Sequence, residues 1–246
     1  PLPTHLGALG MPGWTAYFGL FEVGAIKPGE TVVVSAAAGA VGSVAGQLAK
    51  HHRCRTVGIA GGPEKCAMLT DTYGFDAAID YKNDDLRAAL KAAAPDRVDV
   101  YLDNVGGDIL DAVLGRLAMH ARIPLCGGIS QYNAGTPTGP ANYLAMIAAR
   151  ATMTGFLVFD YSKRYDEAIA YIAPLIAEGK LVAREHVVEA GGVEHGARRV
   201  AAGAGVVGPA EQVVGAAEMQ VAPRGADGVA VRPPIVAPLL EVADRL

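Results

Sequence analysis

The residues best placed to do chemistry with their backbone are Ala37, Gly39, Ala40, Val41 and Gly42, which follow directly on the apolar run Thr31-Val32-Val33-Val34-Ser35. A buried strand that feeds a small-residue turn and then a helix leaves N–H groups free at the helix start, with a partial positive charge beside them. That layout suits a dinucleotide pyrophosphate. Small residues at 37, 39 and 42 permit a sharp turn, close approach of the phosphates and a tight seat of the helix on its sheet. Alanine stands at the first of the three usual glycine positions, and the pattern also fits a packed strand-to-helix turn that binds nothing.

The end of the next strand bears on which dinucleotide this would be. A site that grips free ribose hydroxyls places Asp or Glu there, about 20 residues past the glycines. Here the chain reads Ile59-Ala60-Gly61-Gly62-Pro63, with Lys65 just beyond and Tyr81 after the following strand. No carboxylate ends the second strand to repel a 2′-phosphate, and a lysine can neutralise one as a point charge. NADP(H) is therefore expected over NAD(H). Glu64 is the one nearby acid that argues the other way, and Lys65 also fits a solvated helix residue.

Other chemistries find less support. Cys54, Cys66 and Cys126 are scattered without metal-ligand spacing, so no metal is expected; buried free thiols are. Their odd number fits a reducing compartment, hence a cytoplasmic protein. His51-His52 fits a helix end, where a cation complements the dipole. The net charge of −4 with no basic run argues against nucleic acid as a partner. Charged or turn residues interrupt every apolar stretch before it could span a bilayer, so no membrane partner is expected.

These residues need a scaffold of alternating elements. Helices are predicted over 10–22, from about 41 to 49, from Pro63, and over 86–93, 109–117, 143–149 and 165–178, the last stopped by Gly179 and open to a kink at Pro174. Strands are predicted over 31–35, 56–60, 77–80, 98–103, 121–126 and 152–159. The alternation implies an α/β fold: a Rossmann-like, doubly wound parallel sheet with helices on both faces and ligands at the carboxyl ends of the strands. The run Phe156-Leu157-Val158-Phe159 reads as part of an exposed edge strand. Composition changes near Ala190, giving a domain over 1–190, entered through the linker helix 10–22, and an Ala/Gly/Pro-rich tail over 191–246 whose one clear element is 238–245.

From about Leu6 to Val188 the chain resembles the cofactor domain of the medium-chain dehydrogenase/reductase superfamily. The resemblance is to its zinc-independent branch of prostaglandin reductases, alkenal/one oxidoreductases and plant double-bond reductases. The stretches that carry it are Gly10-Met11-Pro12-Gly13-Trp14-Thr15-Ala16-Tyr17, residues 36–43, Asp103-Asn104-Val105-Gly106-Gly107, Cys126-Gly127-Gly128-Ile129-Ser130-Gln131-Tyr132, and Gly155-Phe156-Leu157-Val158. The resemblance implies that residues 39–42 hold the pyrophosphate and that Lys65 and Tyr81 contact the adenosine phosphate. It places Asn104 along the cofactor, and wraps Cys126, Gly127, Gly128, Ile129, Ser130, Gln131 and Tyr132 around the ribose and nicotinamide. Phe156, Leu157 and Val158 would pass near the nicotinamide, as would Thr15. Tyr132 would serve the enolate or proton-transfer step.

The implied reaction is NADPH-dependent reduction of the carbon–carbon double bond of an enone or enal, by a homodimer in the complete protein. A quinone oxidoreductase of the same superfamily, a cofactor-binding fragment without activity, and a Rossmann-like protein without nucleotide are the alternatives. The chain departs from the family in four ways. It lacks the serine usual near Gly62-Pro63. It lacks the GroES-like N-terminal substrate domain, consistent with a start at Pro1. Met11 stands where zinc-using relatives carry a metal-binding cysteine. The expected C-terminal strand and its asparagine are not found after Glu189, as a shifted reading frame would explain.

Overall fold

The computed structural model describes residues 2–132, 136, 138–187 and 200–201. In chain order the elements are α1 (Leu2–Leu6), α2 (Met11–Phe18), β1 (Thr31–Ser35), α3 (Ala40–His51), β2 (Arg55–Ala60), α4 (Pro63–Asp71), β3 (Ala77–Asp80), α5 (Leu86–Ala93), β4 (Val98–Leu102), α6 (Gly107–Leu114), β5 (Leu117–Leu125), α7 (Ala145–Ala149), β6 (Thr152–Gly155) and α8 (Tyr165–Ala177). A two-residue antiparallel ladder pairs β7 (His186–Val187) with β8 (Val200–Ala201).

The first six strands form one parallel sheet in the order β3-β2-β1-β4-β5-β6. The order reverses between β1 and β4, which is where such sheets open a crevice at their carboxyl edge. β1 is buried at all five positions, as a strand covered on both faces must be. Its alternate residues feed different cores. Val32 and Val34 pack with Val44, Leu48, Leu69 and Ile172 from α3, α4 and α8. Val33 packs with Leu90, Leu110, Val113 and Ile123 on the opposite face, under α5, α6 and α7. The doubly wound α/β arrangement expected from the sequence is therefore present.

Local signals explain the helix ends. Asp85 caps α5, its side chain accepting from the amides of Arg87 and Ala88. Pro63 opens α4, where a missing N–H costs nothing. Gly179, at φ +68°, stops α8, and Lys180 N donates back to Leu175 O. Pro174 sits inside α8 without dividing it.

Several boundaries differ from expectation. The predicted strand over 152–159 ends at Gly155. Its neighbour β5 stops at Leu125, so after Phe156 N donates to Leu125 O there is no ladder left to join. The chain turns into a 3₁₀ segment, Val158–Arg164, where the Tyr165 hydroxyl donates to Val158 O. Phe156 to Phe159 is therefore not an edge strand; Val158 is buried with Phe18 and Ala168. The helix predicted over 109–117 ends at Leu114, because Gly115 caps it, and Leu117 instead begins β5. The helix predicted over 10–22 changes at Gly19 into a π-helical turn, Gly19–Val23. α1 had no clear sequence signal. Of the three cysteines expected buried, Cys54 is, whereas Cys66, in the first turns of α4, and Cys126, directly after β5, are half-buried against the margin of the core. The expected tail and its element at 238–245 lie outside the described residues, apart from β8.

Candidate functional site

The turn between β1 and α3 is built as its residue sizes require. Ala36 adopts φ +47°, unusual for a residue with a side chain and common at functional turns. Ala37 N donates to Ile59 O, and Gly39 N to Ala36 O, which folds the turn back on itself. Gly39 is the N-cap of α3 and supplies no side chain. Ser43 N donates to Gly39 O at 2.9 Å, leaving the amides of Ala40, Val41 and Gly42 as the orphan donors of the helix start. A Cβ on Gly42 would lie 2.4 Å from Ala36 O and 2.7 Å from Ala37 Cα, so only glycine lets α3 sit this close. A Cβ on Gly39 would meet only Ala36 O, at 3.1 Å, and otherwise project into open space. That opening adjoins the first residue of α3.

At the next strand ends the structure holds a carboxylate that the sequence reading did not place. β3 pairs with β2 in register Ala60↔Asp80, which sets Asp80 beside the end of β2. Its side chain points inward. Oδ1 accepts from Gly62 N (2.8 Å) and Lys82 N (3.1 Å), and Oδ2 from Asn83 Nδ2 (2.7 Å). The Gly62 amide above all, then the Asn83 side chain, holds this carboxyl below the usual carboxylate range. The acid is thus spent on shaping the Gly61-Gly62 turn. Tyr81 and Lys82 lie over that turn: a Cβ on Gly61 would come 2.9 Å from Tyr81 Cε1 and 3.0 Å from Lys82 Cε. Lys65 stands in the first turn of α4. Among the described residues neither Lys65 nor Lys82 forms an ion pair. Lys82 was missed in sequence because its place depends on the β2–β3 register; the pair Tyr81-Lys82 was the available signal.

The ends of β4 and β5 meet on the other side of β1. Asn104 N donates to Ser35 Oγ and Asn104 Nδ2 to Ser35 O, each at 2.8 Å. Cys126 N and Gly127 N donate to Asp103 O. Ser130 Oγ donates to Val105 O at 2.6 Å, so that hydroxyl is occupied in tying this loop to the one after β4. Gln131 Nε2 donates to Ser130 Oγ, and Gln131 Oε1 accepts from Thr138 N. Ile129 is exposed. The Tyr132 hydroxyl accepts from Gly128 N at 3.1 Å, while the ring stays 60% exposed. A Cβ on Gly127 would lie 3.1 Å from that hydroxyl, and one on Gly128 would meet nothing. A hydroxyl that accepts an N–H keeps its own proton to give outward. Burial, with the Asp103 charge as the lesser cause, pushes the Cys126 thiol up to about 12, so it is no nucleophile at neutral pH.

The segment expected near a nicotinamide divides. Leu157 is exposed, Phe156 packs against Gly19 and Leu102, and Val158 faces the core. The Thr15 hydroxyl donates to Met11 O within α2. Trp14 stacks on Tyr165 at 4.0 Å, with its indole N–H buried and without an acceptor among the described residues. No cluster of metal-ligating side chains occurs among the described residues, and no helix there is long and apolar enough to cross a membrane.

A 3-2-1-4-5-6 parallel sheet with a glycine-lined helix start at its switch point defines a Rossmann-like α/β domain. Residues 40–173 match the zinc-binding dehydrogenase family. The chain is 50% identical over 188 residues to the 2-alkenal reductase (NADP(+)-dependent) of Nicotiana tabacum, covering 76% of this chain and 55% of that protein. It is 46% identical over 193 residues to prostaglandin reductase 1 of Mus musculus, covering 77% and 58%. The crystal structure of CurA from Vibrio vulnificus in complex with NADPH superposes with a TM-score of 0.72 at 47% identity, covering 76% of this chain and 57% of that one. The chain belongs to the zinc-binding dehydrogenase family, in its zinc-independent branch of medium-chain reductases. It spans a little over half the length of the relatives it matches.

Proposed function

We propose that this chain is the NADP(H)-binding part of a protein that reduces the carbon–carbon double bond of α,β-unsaturated ketones or aldehydes. One observation carries the reading: the start of α3 presents the amides of Ala40, Val41 and Gly42 beside the open space at Gly39. Those groups fit a pyrophosphate, which needs donors, a positive helix end and room for its oxygens. Lys65, Lys82 and Tyr81 supply cation and hydroxyl for a 2′-phosphate, while the Asp80 carboxylate turns its oxygens to Gly62 and Asn83 and its charge is offset by the two lysines. Relatives named as NADP-dependent reductases support the same cofactor.

Residues 39–42 hold the diphosphate, Asn104 lies along the cofactor, and residues 126–132 and 156–158 flank its nicotinamide end, with Val158 contributing backbone only. When bound, the reduced nicotinamide supplies a hydride to the β-carbon of the substrate. Negative charge then gathers on the substrate carbonyl oxygen, and the Tyr132 hydroxyl, polarised by the Gly128 amide, donates to it. Removing one such donor costs ~100- to 1,000-fold in rate. The protein's part is to position and shield the reacting atoms.

In the complete protein, Tyr132→Phe lowers enone turnover by that factor while NADPH affinity stays within about twofold. Equal turnover removes Tyr132 from the mechanism. Preference for quinones over enones would move the protein to the quinone oxidoreductases. NADPH binding without turnover would make this chain a binding module. Among the described residues β6 is the last strand of the sheet, and that edge supports a homodimer joined through it in the complete protein. The unpaired cysteines support a cytoplasmic location, and the negative net charge supports a small-molecule partner rather than nucleic acid or membrane.

A further inference from the structure

Asp103 is fully buried directly after β4, at the switch point of the sheet, and none of the chemistry above uses it. Its Oδ1 accepts four donors: Tyr101 Oη (2.8 Å), Val105 N (2.9 Å), Ser35 Oγ (3.0 Å) and Gly106 N (3.0 Å). Its main-chain oxygen accepts two more, from Cys126 N (2.8 Å) and Gly127 N (3.1 Å). Its Oδ2 is buried with no partner among the described residues. Buried acceptors are seldom left unmade, so a carboxylate retained here has a reason other than filling space.

Apart from Tyr101, which stands in β4 itself, the donors come from the ends of three different strands. Ser35 begins the turn into the α3 helix start. Val105 and Gly106 belong to the loop after β4, whose Gly106 and Gly107 take positive φ so that the amides can converge. Cys126 and Gly127 begin the loop that ends at Tyr132. Further bonds extend the link: Ser35 Oγ, while donating to Asp103, accepts from Asn104 N, and Val105 O receives both the amide and the hydroxyl of Ser130. An amide oxygen is a weaker acceptor than a carboxylate, and an Asn side chain would also bury an unpaired NH₂ where Oδ2 now sits.

We propose that Asp103 is a positioning residue that fixes the phosphate turn after β1 relative to the nicotinamide-side loops after β4 and β5. The proposal rests on the cofactor reading above. A dinucleotide gains affinity from two ends gripped at once only if the two grips keep the separation its pyrophosphate bridge demands. Asp103 holds that separation from beneath and touches no cofactor atom.

The test compares the whole cofactor with its adenosine half on the 246-residue chain. Calorimetry gives Kd for NADPH and for adenosine 2′,5′-bisphosphate with wild type, Asp103→Asn and Ser35→Ala, each first checked for an intact fold by near-UV circular dichroism. In Asp103→Asn, NADPH affinity is expected to fall about thirtyfold while bisphosphate affinity stays within about twofold. The emission of bound NADPH shifts toward that of the free nucleotide. Ser35→Ala, which leaves the Val105 and Gly106 bonds in place, shows the same split at about tenfold and keeps the test alive if Asp103→Asn does not fold. The double variant loses less than the product of the two single losses. Parallel loss of NADPH and bisphosphate, or no loss of either, overturns the proposal. A wild-type chain that binds neither compound overturns instead the cofactor reading on which it rests.

Discussion

Alanine at Gly42 and alanine at Gly39 have opposite consequences, although the two glycines are three residues apart in one turn. At Gly42 the new Cβ meets main-chain atoms, Ala36 O at 2.4 Å and Ala37 Cα at 2.7 Å, which cannot rotate away as a side-chain tip can. Overpacking costs about 1–3 kcal/mol, and with backbone on both sides the upper end applies. Alanine's better helix propensity returns about 1 kcal/mol, leaving a net loss of about 2 kcal/mol. At Gly39 the φ of −82° suits alanine, and the Cβ meets only one oxygen at 3.1 Å. Stability falls there by about 1 kcal/mol or less, the difference between glycine and alanine as N-cap. The same Cβ stands in the open space at the start of α3, where the diphosphate of the proposed cofactor would approach. Loss of charge-assisted bonds worth about 3 kcal/mol in all weakens NADPH roughly a hundredfold. Urea titration measures the first effect and calorimetry the second. Gly42→Ala as stable as wild type would refute the close-packing argument, and Gly39→Ala with unchanged NADPH affinity would remove the diphosphate from this turn.

Two further outcomes follow from the cation-rich strand ends. Lys65→Ala lowers NADPH affinity about tenfold and leaves NADH binding unchanged, read by fluorescence titration; equal loss of both nucleotides would assign Lys65 to the fold instead. Asp80, with its folded pKa lowered chiefly by the Gly62 amide, favours the folded state above the ordinary carboxylate pKa of about 4, and that contribution is lost as pH falls through the lowered value. Urea midpoints at pH 7 and pH 3 should therefore differ more for wild type than for Asp80→Asn; an equal difference would show that the carboxyl makes no net contribution.

Elements whose signal is local were legible in the sequence. Buried parallel strands such as Thr31–Ser35, the proline that opens α4 and the glycine that closes α8 each act within a few residues. The tight turn between β1 and α3 was legible for the same reason: glycine at 39 and 42 is a statement about room. What escaped depends on partners far along the chain. The sixth strand ends early because β5 ends at Leu125, a fact absent from Phe156-Leu157-Val158. Asp80 reaches the end of β2 only through the register Ala60↔Asp80, and Lys82 arrives over Gly61 by the same route. Asp103 reads in sequence as one acid before Asn104; its six incoming hydrogen bonds come from three strand ends and exist only once the sheet has formed.

The most direct measurement of the central claim is isothermal calorimetry of the 246-residue chain with NADPH and with NADH under the same buffer and salt. One site per chain is expected for NADPH, with NADH bound at least about tenfold more weakly. Binding of neither coenzyme, or a preference for NADH, would contradict it.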